Sequence, residues 1–69
     1  MWDRTNQRIR GMYVGEYEYD GIVRWSRVKL GGEVQHTVDL LDPIEVYGET
    51  RYAILVDESE PFFVIEELN

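Results

Sequence analysis

The chain has 69 residues, with fourteen acids against seven Lys/Arg, one His and no Cys, for a formal charge of −7. That length allows one small domain with a thin core, and the lack of Cys excludes disulfide staples and thiolate metal sites. The acid excess opposes wholesale binding to nucleic acid or anionic membrane, because both reward positive charge.

The opening residues 1–8 read as an N-terminal arm, polar apart from Met1 and Trp2 and without periodicity, either loose or a single helical turn. Residues 9–69 then read as one β-domain. A first run, 9–19, is rich in Tyr and is broken by Gly11 and Gly15, which suggest bends. Asp20-Gly21 reads as a turn. Residues 22–30 and 33–41 form two further runs around Gly31-Gly32, a hairpin signal. A two-residue loop there sets Arg24 against Asp39, Ser26 against Thr37 and Trp25 against Val38. A three-residue loop shifts the register, puts Arg24 opposite Leu40 and loses the first two pairings; the two-residue register is preferred. Asp42-Pro43 closes the third run, because Pro has no ladder donor. Residues 44–47 are a short fourth run, and Gly48-Glu49 reads as a type II′ turn leading into 50–56. The acidic stretch 57–61 is a loop, and 62–68 is the last strand.

Five to six short antiparallel strands, glycines at corners and no substantial helix predict an all-β fold, a small closed SH3-like barrel. An OB-fold is the second choice. Closure would also remove the exposed strand edges.

The residues offer little chemistry. His36 lies mid-strand, facing Arg27 in the preferred register, and reads as a side chain filling a barrel face. Ser26 and Ser59 lack a nucleophile elbow. Asp57, Glu58 and Glu60 lack the spacing of a calcium loop and read as solvated acids. Gly11 and Gly15 are not followed by a phosphate-loop Lys. The expectation is therefore a non-enzyme with no cofactor and no metal.

Charge divides unevenly. Through Gln35 there are six basic and five acidic residues; beyond it there are one and nine, giving +1 and −8. The bland reading is a solvated face, and the sharper one is a dipolar molecule whose acidic side meets a basic partner or another copy of itself. Nine aromatics exceed what so thin a core hides, and Trp and Tyr are enriched at interface hot spots. Trp2, Tyr13, Tyr47, Tyr52, Phe62 and Phe63 are the candidate protein interface, with one of the two Phe rings on each side of the last strand. The expected partner is the protein itself or another protein. The alternative is a single-stranded nucleic-acid face built from Arg24, Trp25, Arg27 and Lys29. Nothing in the chain reaches the ~18 apolar residues of a membrane span, and no charged-then-apolar leader opens it, so the expected location is cytoplasmic.

The segments Gly21-Ile22-Val23, Ser26-Arg27-Val28, Gly31-Gly32-x-Val34-Gln35-His36-Thr37-Val38, Pro43-Ile44-Glu45-Val46-Tyr47-Gly48 and Ile54-Leu55-Val56-Asp57-Glu58 resemble short uncharacterised proteins of T4-like marine cyanophages and marine metagenomes. The likeness spans residues 10–60. It implies an SH3-like barrel of viral or marine-metagenomic source, acting in the host cytoplasm or in the virion, and carries no functional residues across.

Overall fold

A computed structural model describes residues 2–67, with side chains through residue 65. Five strands follow one another: β1 (Gln7–Tyr13), β2 (Tyr17–Val28), β3 (Val34–Val46), β4 (Glu49–Asp57) and β5 (Phe62–Glu67). All pairings are antiparallel, in the order β4-β3-β2-β1-β5. No helix occurs among the described residues, and none is long and apolar enough to cross a membrane. The expected all-β class is what is found. The expected closure is not: β4 and β5 lie at opposite edges of one sheet and do not pair.

Two expected turns are strand interior. Asp20 and Gly21 pair with Arg10 and Ile9 on β1, and Gly21 also faces Leu40 on β3. Gly is needed there for close approach: a Cβ would lie 2.5 Å from the Asp39 carbonyl oxygen and 2.7 Å from Val38 Cγ1. Asp42-Pro43 does not end β3 either. The strand runs on to Val46 because Pro43 falls in an irregularity between Asp39 and Ile44, where no ladder donor is required. The fourth run is thus the second half of β3.

The first hairpin turn is Val14-Gly15, closed by Glu16 N–H donating to Tyr13 O (3.1 Å). Both central residues have positive φ, 47° and 70°, a type I′ pattern that suits the twist of a hairpin. Tyr47 and Gly48, at 50° and 79°, make the same turn between β3 and β4. It is therefore I′ rather than the expected II′, one residue earlier. At Gly31-Gly32 the loop has three residues, with Lys29 N–H donating to Glu33 O (2.7 Å) and Gly32 N–H to Lys29 O (2.9 Å). Ser26 consequently faces His36, and Trp25 faces Thr37. Arg24 is the extra residue of a bulge between Val23 and Trp25, which returns its side chain to Asp39.

The core lies on one face of the curled sheet: Ile9, Tyr19, Val23, Val38, Ile54 and Val56, covered by Tyr13, Leu40, Ile44 and Phe62. Every strand contributes, so the two edges wrap the same apolar cluster without pairing. The last expected strand ended at Leu68, which lies outside the described residues, as does Met1.

Candidate functional site

The most organised polar group is built around His36. Its ring is fully buried on β3, where Phe62 meets it edge-on at 5.9 Å. Ser26 Oγ lies 2.7 Å from Nδ1, and Glu58 holds Nε2. Arg4 closes the set: its backbone N–H donates to Ser26 Oγ (3.0 Å), and its guanidinium donates to both Glu58 oxygens (2.7–3.2 Å) and covers the Phe62 ring at 5.2 Å. With Ser26 accepting from Arg4 and donating to Nδ1, the Nε2–H tautomer donates to Glu58 and every group is satisfied. The Arg4 guanidinium holds the Glu58 carboxyl below its usual range, with His36 adding and partial burial opposing; Glu58 in turn raises Arg4.

Serine, imidazole and carboxylate in a chain are the parts of a nucleophile relay, but here their reach is inward. His36 has no exposed surface, and Ser26 Oγ already accepts from a main-chain donor. The arrangement fastens the N-terminal residues onto the sheet. Asn6 N–H donates to Val23 O (2.8 Å), and Gln7 N–H to Arg4 O (2.9 Å), so residues 3–6 are a docked turn and neither a loose arm nor a helical one. His36 contacts Ser26 and Glu58 in place of the expected Arg27, because the three-residue loop moves the register by one. Arg4 and Glu58 were not legible as partners in the sequence, since a contact over 54 positions leaves no local pattern.

The acidic loop divides its carboxylates among separate partners. Asp57 takes Lys29 (3.1 Å), Glu58 takes Arg4 and His36, and Glu60 accepts weakly from Asp57 N–H (3.4 Å).

The candidate interface aromatics are dispersed. Phe62 and Tyr13 are half-buried against the core, Phe62 serving as the lid on His36. Phe63, on the opposite side of β5, is 74% exposed and lines a groove of about 380 Å³ with Met12, Ile65, Arg10 and Glu18. Tyr47 sits in the β3–β4 turn, edge-on to Tyr17 at 5.7 Å, and Tyr52 lies on the β4 edge; both are exposed, as is Trp2.

The candidate nucleic-acid residues do fall near one another, but their charge is largely engaged. Arg24 makes a bidentate pair with Asp39 and lies over the Trp25 ring at 5.4 Å. Lys29 bridges Asp57 and Glu33, and Arg27 donates to Gln35 Oε1 (3.0 Å). Comparison of the chain with protein-family models, with curated proteins and with solved structures finds no match.

Proposed function

We propose that the chain is a small non-enzymatic β module of the SH3-like kind that works by protein–protein contact, in the first place with copies of itself. The SH3-like reading is supported by the strand order, a four-strand meander whose fifth strand returns to β1, and by bulges that curl the sheet round one core. One observation carries the self-association. Among the described residues seven hydrophobics are buried and thirteen large ones are exposed, including Trp25, Leu55 and Phe63. Exposed apolar side chains that stand together mark a contact site, as Met12, Phe63 and Ile65 do around one groove. Two open strand edges add to it.

The pairing of Arg24 and Lys29 with carboxylates weighs against the nucleic-acid reading, because a paired cation has less to gain from a phosphate. Sedimentation of the chain over a wide concentration range tests the proposal: mass should rise with concentration. A constant monomer that is retained on heparin at low salt would transfer support to the nucleic-acid reading.

A further inference from the structure

On the face turned away from the core, β2, β3 and β4 carry two cross-strand rows that complement themselves. Trp25, Thr37 and Leu55 stand in register across the three strands, and Arg27, Gln35 and Asp57 form the next row. Val38, Ile54, His36 and Val56, which alternate with these residues on β3 and β4, are buried, so both rows face outward. Trp25 and Leu55 are each 51% exposed.

We infer that this face is where two copies pair, about a two-fold axis running along β3. The inference rests on the self-association proposed above and names its surface. Rotation about that axis exchanges β2 with β4. Trp25 then meets the partner's Leu55, and Leu55 meets the partner's Trp25, with Thr37 on the axis. In the second row Arg27 meets the partner's Asp57, and Asp57 meets the partner's Arg27, so one patch supplies both halves of each contact, as a two-fold interface requires.

The charges are poised for it. Arg27 bonds only the Gln35 amide oxygen and no carboxylate among the described residues. Asp57 uses Oδ1 for both Lys29 and Gln35, and among the described residues no bond is made to Oδ2, which can take an incoming guanidinium. The like-charge approach near the axis, Asp39 to the partner's Asp39, is offset on each copy by the bidentate Arg24. Trp and Arg are the residue types that dominate interface energetics. The patch is smaller than the roughly 20–30 residues a side of a standard interface, so the dimer is reversible.

Charge reversal on the full chain tests this by sedimentation velocity, at a concentration where the wild-type chain is mainly dimeric. Arg27→Asp and Asp57→Arg should each sediment as monomers, since each sets like charges across the axis. An equimolar mixture of the two should recover the dimer, because both cross-axis pairs are then opposite in sign. Should Asp57→Arg fail to fold, Trp25→Ala replaces it and should weaken dimerisation about tenfold or more, a loss of ~1.4 kcal/mol. A wild-type dimer that both reversals leave intact overturns this surface while self-association stands, as does a mixture that stays monomeric. A wild-type chain that is monomeric throughout overturns both.

Discussion

Arg4 and Glu58 are 54 positions apart, yet their side chains meet in a two-oxygen ion pair that sits directly on the buried ring of His36. The pair ties the N-terminal turn to the loop between β4 and β5, the two segments best placed to fray from a sheet that does not close. Its energetic weight comes through His36. An exposed ion pair alone stabilises little, whereas a fully buried ring nitrogen left without a partner costs the desolvation of that group.

Glu58→Ala should therefore destabilise the fold by about 1–3 kcal/mol, the cost of an unsatisfied buried donor. Glu58→Gln, whose amide oxygen still accepts from Nε2–H, should cost less. Urea denaturation of the two variants measures the difference; equal losses would show that His36 does not depend on Glu58.

Acid should act through the same group. Glu58 has a lowered folded pKa, so its contribution is present above the unfolded value of ~4.3 and is lost as pH falls through the folded value below it. Asp20, lowered chiefly by its hydrogen bonds from Arg8, acts in the same direction. Stability should decline below about pH 4.3 in the wild-type chain, and less steeply in Arg4→Gln. Thermal melts between neutral and acid pH give the two slopes; parallel slopes would remove Arg4 as the cause.

Tyr19 supplies the alkaline counterpart. Its hydroxyl is buried in the core without a hydrogen-bond partner among the described residues, and burial, with Glu60 adding, pushes its pKa up to about 12. A raised pKa favours the protonated form in the fold, so stability is full below the unfolded value of ~10 and falls as pH rises from there towards 12. Tyr19→Phe should abolish that fall. It should also leave neutral-pH stability unchanged or raise it by up to about 1 kcal/mol, since an orphaned polar atom is removed. A clear loss of stability in Tyr19→Phe would mean that the hydroxyl has a partner in solution.

Val14 adopts φ 47° in a type I′ turn, a conformation that a β-branched residue reaches only at a cost. Val14→Asn should raise stability by roughly 0.5–1 kcal/mol, because Asn tolerates that region and Val does not. Denaturant midpoints decide it, and a lower midpoint would contradict the strain.

The strand content and the apolar alternation were legible because a two-residue period needs only neighbours. The Arg24–Asp39 pair was legible too, although the register behind the expectation was wrong: Asp39 pairs with Ile22 in the ladder, and the bulge at Arg24 still leaves its side chain on Asp39. Turn positions were less so. Asp20-Gly21 carries a turn signature, but Gly21 is there to let β3 pass close, while the actual turn hides behind Val14, a residue that sequence rules place in strands. Pro43 looked like a stop and is accommodated by an irregularity in the ladder. The His36 cluster was out of reach, because it joins four segments, the N-terminal turn, β2, β3 and the β4–β5 loop, and Arg4 and Glu58 are brought to it only by the folded chain. The expectation of a closed barrel failed for a related reason: whether β4 reaches β5 depends on accumulated curvature, which no single residue encodes.

The central claim, that the exposed apolar surface of this module is covered by another copy, is tested most directly by sedimentation equilibrium of the unmodified chain from dilute to concentrated solution. The account predicts a mass that climbs from 8.2 kDa toward twice that value as concentration rises. A mass of 8.2 kDa at every concentration would contradict it.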